Sequence, residues 1–295
     1  MNLVESRISR RKFMQLVGGT VGCLLLSNSC VPMHGNLQAS EDKQRYLTLP
    51  FRKSDVNGQY QITEAWFYKE EKDIHDFTNH FAIDFHVPYG TPLLSPADSF
   101  VMSSYHATWV RNPDGTIRLW QGKEVGFGLG YFIQAYVPKP VNRFLQLAHL
   151  SEVDSSVPFS PPTYDSEHDS WNPTNHTLTI EELTKHPMVV AVKRGDPLGR
   201  IGFSGLRWGR YQEYIAGESR PVPIDPNIQR SWDEPHGHFE ECFRDQQTGA
   251  KGDQRDPYDL NTTAEHYPQP GRPLPMGPKA LWILAQDGLP AFAAA

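Results

Sequence analysis

Proline and glycine interrupt this 295-residue chain so often that its apolar segments are short. The sequence contains 25 prolines and 23 glycines. Because both residues break long regular elements, this pattern favours a β-rich fold with many turns and long surface loops over a helical bundle. The length is sufficient for one large or two small domains with a sizeable core.

Charge and cysteine content exclude two classes of protein. The formal net charge is -6, whereas a nucleic-acid-binding protein usually carries a basic surface, so we expect no nucleic-acid partner. Only three cysteines are present, Cys23, Cys30 and Cys242. They cannot form a disulfide framework, so the fold must depend on core burial and on any bound metal. We expect Cys242 to be a lone structural thiol.

Residues 1–30 have the features of an export signal. The pair Arg10 and Arg11 precedes an apolar stretch, residues 13–26, that is too short to span a bilayer. This order resembles a twin-arginine signal, the alternative being a chance arginine pair. Cys30 loosely matches a bacterial lipoprotein cleavage site. The predicted location is therefore the periplasm or cell envelope, with membrane anchoring through a lipidated Cys30 left open.

The remaining chain divides by composition into three parts. Residues 31–60 are polar and predict a leader or linker. Residues 61–265 form the predicted domain, which carries two long insertions, 151–187 and 206–235. The proline-rich tail, residues 266–295, is expected to wrap the surface.

Local patterns predict several elements within the domain. A hairpin is expected around the turn at residues 112–115, and residues 131–137 and 143–149 predict a second strand pair. Residues 179–185 predict a short helix that begins at a threonine cap. The glycine-rich residues 126–130 lack the spacing of a dinucleotide-binding loop and favour a hairpin turn.

Strand alternation brings polar side chains together at two places. Successive side chains on a strand point to opposite faces. If residues 80–86 are extended, His80 and Asp84 share one face and the apolar residues between them share the other. His236 and His238 likewise share a face. His149 fits less well, because the leucines two and four residues before it lie on its face; a strand that emerges from the core at His149 would explain this.

These residues have the chemistry of a hydrolytic zinc site. Such a site needs three nitrogen or oxygen ligands and an open position for water. His80, Asp84 and His238 can supply the three ligands, which leaves His149 and His236 as bases beside the water. Each histidine alone has an ordinary explanation as a solvated or hydrogen-bonded residue. Four sequence pieces in a fixed order make hydrolysis the leading hypothesis.

The same pieces resemble the lysostaphin-type (LytM-like) zinc endopeptidases, which cut peptide bonds in bacterial peptidoglycan. The resemblance covers about residues 75–260, and its motifs are at residues 80–85, 88–92, 96–98, 147–151, 192–205, 235–240 and 256–258. The chain departs from the pattern at Ala82 and Ser99, where the family usually has glycine. The two insertions are longer than in compact members.

The resemblance implies both a fold and an activity. The implied fold is a compact, mainly antiparallel β-sheet of the barrel-sandwich hybrid (duplicated hybrid motif) type, with long loop insertions. The implied site binds one Zn²⁺ ion through His80, Asp84 and His238 and uses His149 and His236 in catalysis. The implied substrate is a peptidoglycan stem peptide or cross-link.

Two other functions stay open at the level of sequence. The chain could be a non-catalytic envelope protein of this fold that binds cell wall or regulates an amidase, or a lipoprotein that acts as a scaffold. The filled ligand and histidine positions favour the enzyme. Other hydrolase classes lack support, because the sequence has no His-Glu-x-x-His motif and no Gly-x-Ser-x-Gly elbow. The oligomeric state is not predicted.

Overall fold

The computed structural model describes most of the predicted domain, all of it within a compact unit of residues 40–295. The predicted export signal, with Cys30, and nearly all of the insertion at 206–235 lie outside the described residues. The described ranges are 45–68, 79–120, 122–174, 179–205, 207–208, 235–245, 251–269, 271–272 and 276–294.

Fourteen strands account for the regular structure in these ranges, together with one α-helix and one short 3₁₀ turn at Ala264–His266. The strands are β1 (Gln61–Glu64), β2 (Ile83–His86), β3 (Pro92–Leu94), β4 (Ser99–Trp109), β5 (Leu119–Trp120), β6 (Lys123–Val137), β7 (Arg143–Val153), β8 (Thr163–Asp165), β9 (Ser170–Asn172), β10 (Val190–Val192), β11 (Pro197–Ile201), β12 (Arg207–Trp208), β13 (His236–Arg244) and β14 (Lys251–Gln254).

The strands form one antiparallel sheet system. Its main path runs β1-β2-β13-β7-β6-β4-β9-β8, with the short strands paired along its sides, and it does not close on itself. All pairings between these strands are antiparallel. The predicted mainly-β, antiparallel fold is confirmed. Asp84 lies on β2, His236 and His238 lie on β13, and His149 lies on β7; these three strands are consecutive neighbours.

The segment predicted as a linker belongs partly to the core. Leu47, Leu49 and Phe51 have no exposed surface and pack in the main hydrophobic cluster. Because they are two positions apart, all three side chains of an extended segment point inward. The alternation is too short to distinguish this segment from a polar linker by sequence. Residues from 45 onward therefore already contribute to the core, so the boundary that we predicted at residue 60 lies too late in the chain.

The C-terminal tail also contributes to the core instead of only wrapping the surface. Trp282 is fully buried, and its ring lies against Phe85, Phe239 and Tyr258. The backbone of Trp282 forms a parallel β-bridge with Leu47, so the first and last described segments of the domain are in direct contact. The proline-rich composition of the tail gave no indication of this aromatic contact.

Several local predictions are confirmed. Residues Ile180–Lys185 form helix α1, and Thr179 and Glu182 make a reciprocal capping box at its start. The turn at 112–115 closes with a hydrogen bond from Asn112 N–H to the Thr116 carbonyl. No helix among the described residues is long and apolar enough to cross a membrane.

The predicted turn at residues 126–130 is wrong, because these residues lie inside β6. The glycines serve close packing of neighbouring backbone. A Cβ atom on Gly128 would lie 2.7 Å from the Cα of Ala107 on β4. Glycine at every second position thus indicates a strand with neighbouring backbone packed closely against one face.

Candidate metal centre

Three predicted ligands meet at the junction of β2 and β13. Asp84 on β2 lies directly opposite His238 on β13, and His80 lies in the turn before β2. The Asp84 carboxylate lies between the two rings, with Oδ2 3.3 Å from His80 Nε2 and Oδ1 3.0 Å from His238 Nδ1. Ligand atoms of all three residues lie within 4.8 Å of one another, so the group could hold a metal ion.

These separations fit the geometry of a small tetrahedral metal site. Zinc bonds to nitrogen and oxygen are about 2.0–2.1 Å long, which places two tetrahedral ligand atoms about 3.3 Å apart. The contacts of 3.3 Å and 3.0 Å from Asp84 to the two rings match that edge length closely. Two imidazoles and one carboxylate are also a common donor set for catalytic zinc.

His80 reaches the site through a turn, which corrects the expectation that residues 80–86 are all extended. The strand begins only at Ile83, because Phe81 has a left-handed backbone with φ of 56°. The N–H groups of His80 and Phe81 both donate to the Trp66 carbonyl, and the Phe81 ring packs against the Trp66 ring. The turn is thus fixed by hydrogen bonds and by packing, and it still directs His80 to Asp84.

The ring of His80 has a defined tautomer. Its Nδ1 lies 3.0 Å from the Ala65 carbonyl, which can only accept, so Nδ1 donates and Nε2 keeps its lone pair toward Asp84. Burial lowers the pKa of His80 to about 4, although the negative charge of Asp84 acts to raise this pKa. The ring is therefore neutral near pH 7, which is the form that binds metal.

Asp84 is the charged member of the group. Burial alone would raise the pKa of its carboxyl, but the field of His80 and His236 and the hydrogen bond from His238 hold that pKa well below its usual range. Its exposed fraction is only 5%. A buried carboxylate between these two imidazoles supplies the negative charge that a divalent cation needs.

The two remaining histidines lie together beside this group. The ring centroids of His149 and His236 are 4.6 Å apart, and His149 is 5.5 Å from the His238 ring. His149 Nδ1 donates to the Ser204 carbonyl at 2.8 Å, so its Nε2 carries the lone pair. Burial, with the neighbouring His236 and His238, holds the pKa of His149 well below its ordinary value. His236 Nε2 lies 3.8 Å from Asp84 Oδ2.

A bulge in β7 explains the irregular alternation at His149. Leu147 pairs with Ile133 and Leu150 pairs with Tyr131, so β7 has one more residue than β6 over this span. His149 takes up the extra residue with a φ of 62°. The strand does not emerge from the core there, as the alternation had suggested, but continues to Val153. The bulge keeps Leu147 and Leu150 in the core and leaves His149 at the site.

Tyr68 is a site residue that the sequence did not indicate. Its ring centroid is 5.2 Å from that of His80, and it is 8% exposed. Burial raises the pKa of its hydroxyl well above the ordinary value, and the charges of Asp84 and Glu64 add to the effect. Tyr68 precedes His80 by twelve positions, so no short motif contains both.

The sequence matches no protein-family model and no curated protein. Similar solved structures include M23 and lysostaphin peptidases. The catalytic domain of the prophage-encoded M23 protein EnpA from Enterococcus faecalis is 15% identical, covers 66% of this chain and 88% of its own, and has a TM-score of 0.31. The catalytic domain of lysostaphin, an antimicrobial peptidase from Staphylococcus simulans, is 14% identical, with coverage of 72% and 98% and a TM-score of 0.32. A zinc containing peptidase from Vibrio cholerae is 16% identical, with coverage of 67% and 37% and a TM-score of 0.32. At such values, function has to be argued from the site residues.

Proposed function

We propose that this protein is an exported zinc metalloendopeptidase that hydrolyses peptide bonds in peptidoglycan stem peptides or cross-links. The observation that carries the proposal is the meeting of His80, Asp84 and His238 with two further histidines on the same side. A purely structural cluster would need no second pair of imidazoles beside a three-ligand group. The sequence motifs add support, because they occur in the order that lysostaphin-type enzymes have.

In this proposal His80, Asp84 and His238 hold one Zn²⁺ ion. The ion would supply Lewis-acid chemistry, which polarises a carbonyl group and lowers the pKa of water to roughly 7. The chain prepares this site in advance. The Ala65 carbonyl fixes the ring of His80, and the shared carboxylate of Asp84 aligns both imidazoles.

His149 and His236 are the proposed catalytic pair. The neutral His149 ring, held by the Ser204 carbonyl, presents Nε2 as a proton acceptor. An imidazole N–H can instead donate to the oxygen on which charge develops, and such a donor contributes on the order of 3 kcal/mol. One histidine of the pair would take the first role and the other the second.

The substrate and the cellular location belong to the same proposal. Peptidoglycan lies outside the cytoplasmic membrane, so an enzyme that cuts it needs the export signal proposed at residues 1–30. Substitution of Arg10→Lys together with Arg11→Lys should block export in a pulse-chase experiment. Unchanged export would refute the twin-arginine assignment without affecting the enzyme. Labelling with a fatty acid would test lipidation at Cys30.

The experiment that tests the activity is digestion of purified cell-wall sacculi. Zinc-loaded protein should release muropeptides with new amino termini, and mass spectrometry of these products would identify the bond. His236→Ala should abolish release while zinc content stays nearly intact, whereas His238→Ala should lose both. The matched control is His168→Ala, because this exposed histidine pairs with Asp165 away from the site.

The outcomes separate the enzyme from a binding module. Wild-type protein that binds sacculi and releases no peptide would favour the non-catalytic alternative. Full activity in both site variants would show that the proposed roles of these histidines are wrong.

A further inference from the structure

A row of side chains leads from the candidate metal centre to the edge of the sheet. Gln61 on β1 lies opposite His86 on β2, and His86 lies opposite His236 on β13. Directly opposed residues of antiparallel strands share a face. His86 is two residues beyond Asp84 on β2, so this row lies about 7 Å from the proposed ligands and on their face of the sheet.

An open cleft of about 740 Å³ begins at this row. Gln61, His86 and Pro235 line it on the side of the metal centre, and Pro235 precedes His236 in sequence. Its volume lies in the range of small-molecule binding sites, which is roughly 300–1,000 Å³. The cleft therefore lies beside the site and is large enough to hold a substrate group beyond the reacting bond.

The lining of the cleft combines polar and apolar side chains and carries no permanent charge. Among the described residues that line it there is no aspartate, glutamate, lysine or arginine. Asn57, Gln59 and Gln61 offer exposed amide side chains, and Tyr60 and Tyr89 offer aromatic rings. Amides can both donate and accept hydrogen bonds, and a tyrosine combines an apolar ring face with a polar tip.

The two aromatic rings are fixed before any ligand arrives. Tyr60 packs against Phe51 and Phe85 at centroid distances of 5.5 Å and 5.7 Å. Tyr89 packs against Phe203 at 5.3 Å. Rings already held in place lose little conformational entropy on binding, so they form a prepared platform.

We propose that this cleft is a subsite for an uncharged N-acetylated sugar of the glycan strand to which the cleaved peptide is attached. The proposal rests on the proposed function. Sugar hydroxyl and acetamido groups match the amide side chains, and the C–H faces of the sugar ring match the tyrosines. The carboxylates and amino groups of a stem peptide would find no countercharge in the described lining.

The test is binding of a soluble β-1,4-linked tetramer of N-acetylglucosamine to the zinc-loaded full chain, measured by calorimetry. We expect binding to the wild type and a weaker association in the double variant Gln59→Ala, Gln61→Ala. Each lost hydrogen bond should raise the dissociation constant about fivefold, which gives about 25-fold for the pair. The single variant Gln59→Ala is the milder second test and should show about a fivefold loss.

The matched control is Thr163→Ala on β8, because this exposed polar residue lies on the strand at the opposite end of the sheet path. It should bind the tetramer like the wild type. A second measurement compares KM for one peptide with and without its attached glycan. The wild type should have the lower KM for the glycan-linked form, and the double variant should reduce that difference.

Three results would overturn the subsite: no binding of the tetramer to the wild type, equal binding in the double variant, or displacement of the tetramer by a glycan-free stem peptide. Wall cleavage without tetramer binding would refute the subsite alone. Tetramer binding by a protein that cuts no wall peptide would refute the proposed function and leave the sugar site standing.

Discussion

Replacement of Glu241 by glutamine should strongly destabilise the fold that carries the site. Glu241 follows His238 by three residues on β13 and has no exposed surface. Its carboxylate accepts hydrogen bonds from Arg143 at 2.6 Å and 2.7 Å, from Arg255 at 2.7 Å, and from the Tyr46 hydroxyl at 2.8 Å. Burial would raise the pKa of Glu241, but both arginines hold it below the usual range.

The size of the effect follows from what the substitution leaves behind. An uncharged amide of the same shape fills the space but removes the countercharge of two arginines, and its NH₂ group faces their donors. Loss of one partner in a buried ionic group costs about 3–5 kcal/mol. Because the Arg255 side chain is 31% exposed and can regain some solvation, we expect the lower end of this range, about 3 kcal/mol.

Urea denaturation of metal-free protein measures this free energy without a contribution from bound metal. The matched control is Glu181→Gln, which removes the same charge from a fully exposed pair with Lys185 on α1. The control should unfold at the same urea concentration as the wild type. A loss of less than about 1 kcal/mol for Glu241→Gln would contradict the reasoning, because surface pairs already reach that value.

Three further predictions concern pH, the tail and β6. The pKa of His80 is lowered from near 6.5 to about 4. On acidification the imidazole therefore binds a proton in the unfolded chain at a higher pH than in the folded chain. The stability of metal-free protein should therefore be intact above pH 6.5 and fall by on the order of 3 kcal/mol toward pH 4; an unchanged urea midpoint over this window would contradict the burial of His80. Trp282→Ala should lower the free energy of unfolding by about 3–5 kcal/mol. If the tail only covered the surface, urea denaturation would show little loss of stability. Gly128→Ala should cost about 1–3 kcal/mol, because the new methyl group meets the backbone of β4. Equal thermal midpoints for Gly128→Ala and the wild type would refute the crowding.

The structure brings the predicted site residues together, but along backbone paths that the sequence predicted only in part. Alternation correctly put Asp84 and His238 on strand faces, because β2 and β13 are regular at those positions. It failed at Phe81 and His149, where single left-handed residues change the direction of the chain. Phenylalanine usually avoids this conformation, and histidine adopts it only in a minority of cases, so neither identity predicted it.

Contacts between segments that are distant in sequence could not be predicted either. The capping box of α1 lies within four residues, so it was predictable from local chemistry. The burial of Leu47 against Trp282 joins positions at opposite ends of the domain. Tyr68 beside His80 depends on the turn at Phe81. Such contacts are set by the whole sheet and not by any local pattern, so only the structure reveals them.

The proposed metal centre requires that Asp84, together with His80 and His238, binds a single zinc ion. Zinc content per chain, measured by elemental analysis after dialysis, tests it directly. The wild type should retain one zinc ion, Asp84→Ala should retain none, and His149→Ala should retain nearly the wild-type amount. Retention of a full zinc ion by Asp84→Ala, or its complete loss in His149→Ala, would contradict this assignment of ligands and catalytic residues.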